Sequence, residues 1–434
     1  MASATEAATY PPRSRAWLSA VVIFLITAIA LADRMAIAML IGPIKAEFGI
    51  GDFQASLLVG LAFTLFYVLF LIPIGAAADR FSRAKVLGVC LAVWSLATVL
   101  CGFATGLIAL FICRMLAGSG EAAIGPCSQG IIGCSFPRHA MAKPMALQGI
   151  GFQVGPAVGV AAAGAILAAG SAGAFEGWPL LGELAPWRVA FILIGLPGLL
   201  ALLLVPLLHS PPPAPAVASG AEGQLLPFVR GNRAHLTLFL LAAGCSAIAT
   251  GVITAWVPEY LQRVLGASPA EAGSALGLIL LAAAFAGQGT LATAIDWLAA
   301  RGVQDAPLRA ALVPVALAIP LGWLAFAAPD TARFYPLLFL LALCTSSLNA
   351  AHNTVAQTIA PPALRARVGA LFIFAINVLG FAIGPALVGA LSEYVLGEEH
   401  LGRAMQLVAA LSMVATLALT WQARKALAAR MAAT

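Results

Sequence analysis

The sequence predicts an all-α membrane protein of twelve transmembrane helices, arranged as two pseudo-symmetric six-helix bundles. Three observations carry this. Hydrophobic residues make up 62% of the 434-residue chain, charged residues only 9%, and the mean hydropathy is +1.00. A soluble domain carries about 25% charged residues. Apolar runs of about 20 residues, enough to cross a bilayer, recur along the chain. The two halves also echo each other. GFQVGPAVG at 151–159 returns as GFAIGPALVG at 380–389, and Glu121-Ala-Ala returns as Asn349-Ala-Ala. Both echoes have nearly the same offset, which indicates parallel repeats around a central pathway.

The chain opens on a polar tail (1–16), expected to be cytoplasmic. The first apolar run, Trp17 to Ile41, is too long for a signal-peptide core and leads into charges, not a small-residue cleavage site. Six segments centred near Thr27, Phe66, Ser95, Glu121, Gly155 and Leu196 form the first bundle (17–208), with a sizeable loop at 171–186. A Pro-, Ala- and Gly-rich linker follows (209–235), read as disordered. Six more segments, centred near Gly251, Ala283, Val315, Asn349, Val378 and Met413, form the second bundle (236–426). Residues 427–434 are a second cytoplasmic tail.

Loop charges set the orientation. With the N-terminus in the cytoplasm, sixteen Lys and Arg fall in cytoplasmic loops and tails and five in outer ones. That bias places both termini inside a plasma membrane. The net charge of +6 therefore reports topology, not nucleic-acid binding. The seven cysteines lie within apolar segments without ligand spacing and read as helix-packing residues. No phosphate-cradling loop, metal-ligand cluster or Ser-His-Asp arrangement is present, so neither an enzyme nor an ATP-driven pump is expected, and no cofactor.

Four charges are expected deep in the membrane: Asp33 and Arg34 in the first segment, Arg114 and Glu121 in the fourth. Each costs at least about 2.5–3.5 kcal/mol at mid-bilayer and so faces a cavity or a partner. Counted at 1.5 Å per residue, Asp33 and Arg114 lie at similar depth and can pair. Glu121 is two turns from Arg114 on the same face, with Gly118 leaving space between them. Carboxylates so placed suit a proton that loads and unloads, so Asp33 and Glu121 are the proton-coupling candidates; a static packing network is the bland alternative. Arg34 or Arg114 suits an anionic headgroup, because guanidinium binds phosphate bidentately. The second half offers Asn349 and Asn377 as further substrate contacts and Trp256 as an aromatic one. His352 reads as a packing residue. The segments Gly151, Gly155, Pro156 and Gly380, Gly384, Pro385 read as close-packing sites with a proline bend.

The stretch from Gly75 through Asp79-Arg80-Phe-Ser-Arg83 to Lys85, between the second and third segments, resembles the signature loop of the major facilitator superfamily. Its counterpart, Ala292 to Arg301, is degraded, with Trp297 in place of the usual arginine. Within the superfamily the chain is similar to the spinster-type branch. ALADRMAIAMLIGPIKAEFGIGDFQASLLVG, RMLAGSGEAAIGPCSQGIIGCSFP and TAWVPEYLQRVLG carry that likeness. The resemblance implies the major facilitator fold and relatives that export lysophospholipids or sphingoid phosphates. It also implies that the charges of the first and fourth helices act in transport. In the loop, Gly75, Asp79, Arg80 and Arg83 would form a conformational latch, Asp79 meeting the positive N-terminal end of the eleventh helix near Arg365. The high alanine content points to a bacterial inner membrane.

The expectation is a monomeric secondary transporter that moves an amphipathic anionic lipid by alternating access with protons. Its partners are that substrate, protons and membrane lipids. The alternatives are a proton-coupled transporter of small organic anions or drugs and, in another class, a lipid scramblase or membrane sensor.

Overall fold

The computed structural model describes residues 10–211, 225–360 and 364–432. Among these, twelve helices are long and apolar enough to span a bilayer. In the first half they are TM1 (Arg13–Phe48), TM2 (Asp52–Arg80), TM3 (Arg83–Cys101), TM4 (Leu107–Ser135), TM5 (Ala142–Ser171) and TM6 (Pro186–Leu207). The second half contains TM7 (Arg233–Arg263), TM8 (Pro269–Ala300), TM9 (Ala306–Ala325), TM10 (Thr331–Thr358), TM11 (Arg367–Leu396) and TM12 (Glu398–Ala426). Helices dominate because lipid leaves backbone polar groups no other partner. An even number of crossings puts both ends of the chain on one side, called here the terminal side; the opposite side is the far side.

Local chemistry sets the helix ends. TM1 stops at Gly49, whose left-handed φ of +62° lets its N–H reach the Lys45 carbonyl. TM8 starts at Ser268, which caps the Glu271 N–H, with Pro269 in the first turn, and TM10 starts at Asp330, which caps the Arg333 N–H. Two boundaries differ from the sequence reading. The expected linker contains a short helix, Leu225–Gly231, whose Phe228 and Val229 pack on the apolar cluster of Leu236 and Phe239; the Pro-rich stretch before it (212–224) lies outside the described residues. The last helix continues to Ala432 through the expected tail, carried by the helix-forming run ARKALAARMA.

Glycine ladders decide which helices touch. Cβ atoms added at Gly151, Gly155 and Gly159 would lie 3.0, 2.5 and 2.1 Å from the carbonyl oxygens of Phe24, Ala28 and Ala32. TM5 therefore lies directly on the TM1 backbone. The repeat does the same in the second half, where Gly380 faces Ala247, Gly384 faces Ile248 and Gly251 faces Gly380. Two further seams join the halves. In one, Gly164 of TM5 meets Gly273 of TM8; in the other, Gly60 and Gly389 join TM2 to TM11. Where TM2 and TM11 cross, both helices widen into π-type turns, at Leu57–Leu61 and Ile376–Ile383.

Candidate substrate pathway and charged sites

Consecutive residues on a helix point about 100° apart, so Asp33 and Arg34 on TM1 serve different partners. Asp33 accepts a 2.5 Å hydrogen bond from the Thr98 hydroxyl of TM3, and its other oxygen lies 3.9 Å from Nη1 of Arg114 on TM4. Arg34 turns toward the seam between the halves. Its Nη1 sits 3.5 Å from Glu121 Oε1, and its Nη2 donates to Asn377 Oδ1 of TM11 at 3.0 Å. The Phe63 ring of TM2 lies between the two arginines, 4.6 Å from the Arg34 guanidinium carbon and 5.0 Å from that of Arg114. Tyr67 and Phe381 flank Arg34 at 5.3 and 5.2 Å. These distances suit cation–π contact.

The four deep charges thus form two pairs, Asp33 with Arg114 and Glu121 with Arg34. The space expected at Gly118 is filled, because the Phe63 carbonyl lies 2.3 Å from where its Cβ would be. The sequence reading could not supply this, because depth along a helix says nothing about which neighbour presses against it. Arg114 is 0% exposed, and none of its guanidinium nitrogens finds a hydrogen-bond acceptor among the described residues. Its ion contact with Asp33 is long.

The other candidates fall at different places. Asn377 is buried beside Arg34 and anchored to its own helix through the Ile373 carbonyl. Asn349 of TM10 is exposed. Trp256 is fully buried and donates its indole N–H to the Pro385 carbonyl at 3.0 Å, so here it packs TM7 on TM11. His352 sits between Phe239 and Phe372, with Ser246 Oγ 3.5 Å from its Nδ1. Beside Arg34 lies a pocket of about 20 Å³, lined in part by Met35, Thr254 and Phe381.

On the far side lies a second charged site that the sequence reading did not foresee. Asp52, the first residue of TM2, is 0% exposed. Arg263 of TM7 grips it bidentately at 2.9 and 2.9 Å, Ser392 of TM11 donates at 2.7 Å, and Lys45 of TM1 also pairs with it. Glu398 bridges back, accepting from Lys45 at 2.8 Å and from the Asp52 N–H at 3.0 Å. Glu393 accepts the Phe53 N–H at 2.8 Å, and the buried Glu259 lies 3.7 Å from Arg263. The network crosses from one half to the other and ties their far-side ends together. A hint existed in Lys45 and Asp52, which flank the tight turn at Gly49, but the partners are about 210 to 350 positions away in the chain.

The terminal side is built differently. Residues 124–135 and 365–375 pack chiefly within their own halves. Asp79 keeps 77% of its side chain exposed and touches Arg83 at 3.9 Å, while Arg83 donates to the Cys134 sulfur at 3.2 Å. Arg80 lies over Phe81, and nothing stands within 4 Å of a Cβ placed on Gly75. In this state Asp79 shows no contact with TM11 among the described residues.

Residues 23–385 match the Major Facilitator Superfamily. The chain belongs to that superfamily. This facilitator is 29% identical to an MFS-type efflux pump of Mycolicibacterium smegmatis, over 93% of its own length and 91% of the pump's. It is 25% identical to the protein spinster of Drosophila melanogaster, over 88% of its length but 63% of that protein's. Its fold superposes, with a TM-score of 0.78 and 24% identity, on a bacterial homolog to the human lysosomal transporter Spinster in an inward-facing, unoccupied conformation, covering 96% of each chain. The likeness to the spinster-type branch thus extends over nearly the whole chain, as its motifs led us to expect. As a member of that superfamily it is a secondary transporter, not an enzyme, and it is similar to the spinster-type branch.

Proposed function

We propose that this facilitator moves an amphipathic anionic lipid, of the lysophospholipid or sphingoid-phosphate type, across a bacterial inner membrane by alternating access coupled to protons. Both termini are cytoplasmic in this reading, the terminal side faces the cytoplasm, and the monomer is the working unit. The observation that carries the reading is the position of Arg34. It is a mid-membrane cation shared between Glu121 of its own half and Asn377 of the other, and it is ringed by Phe63, Tyr67 and Phe381.

A phosphate or carboxylate head arriving there competes with Glu121 for one guanidinium. Two anions on one buried cation leave an uncompensated charge, so binding of the head favours a proton on Glu121. Asp33 and Arg114 form the second proton-responsive pair behind Phe63. The tail then lies against the aromatic rings and the aliphatic wall of the second half, and Asn349 and Asn377 orient the head. When the far-side network opens, Asp79, with Gly75, Arg80 and Arg83, closes the cytoplasmic side against the TM11 terminus.

A second reading, proton-coupled export of small organic anions or drugs, draws support from the similarity to an efflux pump over almost the whole chain. A binding series with one headgroup and lengthening acyl chain separates the two. Affinity should rise with each added methylene, by up to about 0.8 kcal/mol when fully buried. A flat series, with a short soluble anion bound equally well, selects the second reading.

A further inference from the structure

Away from the transport pathway, the terminal-side surface holds a cavity of about 500 Å³ where the first turn of TM1 meets the TM4–TM5 connection and the first turn of TM5. Its rim carries Arg13, His139 and Lys143, and no carboxylate lines it among the described residues. Three basic residues elsewhere on this side do have acidic neighbours: Arg83 has Asp79, and Arg309 and Arg424 share Asp305. The floor is apolar, formed by Trp17 edge-on to the buried Phe136 at 5.5 Å. TM5 is thirty residues long and starts at Ala142, so the free N–H groups and positive end of a long helix open beside the same space. A preference for basic loops on one side explains positive charge there, but not a cavity with an aromatic floor.

We propose that this cavity binds the phosphate headgroup of an anionic phospholipid from the adjoining leaflet. The phosphate sits among Arg13, His139, Lys143 and the start of TM5, and the glycerol end of the acyl chains lies on Trp17 and Phe136. The volume falls within the range of small-molecule pockets, about 300–1,000 Å³, and holds a headgroup while leaving the chains in the bilayer. Basic pockets at this depth recognise anionic headgroups, and aromatic rings mark the interface. The bound lipid would tie TM1 to the start of TM5, the helix that packs along it and reaches across to TM8.

The test uses the full-length purified protein and native mass spectrometry with dimyristoyl phosphatidylglycerol, dimyristoyl phosphatidylcholine and glycerol 3-phosphate. The anionic lipid should bind in preference to the zwitterionic one. The double variant Arg13→Gln, Lys143→Gln should lose that preference, by about fivefold for each charge removed. Its melting temperature should be unchanged, because both side chains are exposed. Arg34→Gln, which weakens the central site, should keep the preference, so this inference and the cargo reading fail separately. The inference is overturned if the preference survives in the double variant or is abolished by Arg34→Gln. It is also overturned if glycerol 3-phosphate binds as tightly as the lipid, which would make this a site for soluble phosphate.

Discussion

The mid-membrane and far-side charge clusters contain similar residues and differ in how completely those residues are satisfied. On the far side, Asp52 receives both arms of Arg263, a serine hydroxyl and a lysine, and most of these contacts cross between the halves. At mid-membrane the pairs are long, 3.5 and 3.9 Å, and the Arg114 guanidinium has no hydrogen bond among the described residues. Bidentate, charge-assisted bonds hold one geometry, whereas under-satisfied buried charges can exchange partners at smaller cost. The first cluster is suited to holding a state and the second to responding to a proton or an anion.

The sharpest way to break that contrast is to neutralise the responsive site. Glu121→Gln and Asp33→Asn should each eliminate proton-driven transport in proteoliposomes while the protein still folds as a monodisperse species. If transport keeps its rate and pH dependence in both, the mid-membrane cluster is structural and the contrast collapses.

The holding site has its own test. Asp52→Asn removes the buried carboxylate at the centre of the network and leaves Arg263 and Lys45 only Glu398 and Glu259, a loss of at most about the 3–5 kcal/mol of a broken buried ion pair. Spin labels across the far-side helix ends should report a shift to longer distances. An unchanged distribution would show that the glycine seams alone close that side.

A smaller effect is expected at the exposed terminal side. Asp79→Ala should bias the protein away from the state open on the far side, by about 0.3–1 kcal/mol and at most about 2 if the contact is partly buried. Terminal-side distances identical to wild type under far-side-open conditions would remove the latch.

The smallest effect concerns Trp256. Trp256→Phe forfeits one buried hydrogen bond to Pro385 and should lower stability by about 0.5–1.5 kcal/mol, read as a fall in melting temperature with substrate affinity unchanged. A large loss of affinity instead would mean that the ring reaches the substrate in another state.

Legibility followed the range of the physics involved. Hydropathy and helical rise are local properties, so the segment centres, the repeat and the depths of Asp33, Arg34, Arg114 and Glu121 could be read from the chain alone. Boundaries were less legible where apolar or alanine-rich stretches continued a helix, as at Leu225–Gly231 and beyond Ala426. The far-side network was illegible for a different reason. Lys45, Asp52 and Arg263 sit at helix ends, where single charges are ordinary and carry no signal of burial; only Glu259, near the outer end of TM7, stands where an uncharged residue is expected.

By itself the sequence determined a membrane-embedded, twice-repeated helical chain with charges at mid-depth, because lipid forces every backbone polar group into a helix and makes each buried charge conspicuous. Tertiary structure decided the partners. Arg34 meets Asn377 from 343 positions away, Asp52 meets Arg263 from 211 away, and the space beside Gly118 belongs to Phe63. These choices depend on which helix faces lie within about 4 Å of each other. The glycine ladders set those distances, and their own partners become defined only when the two halves pack.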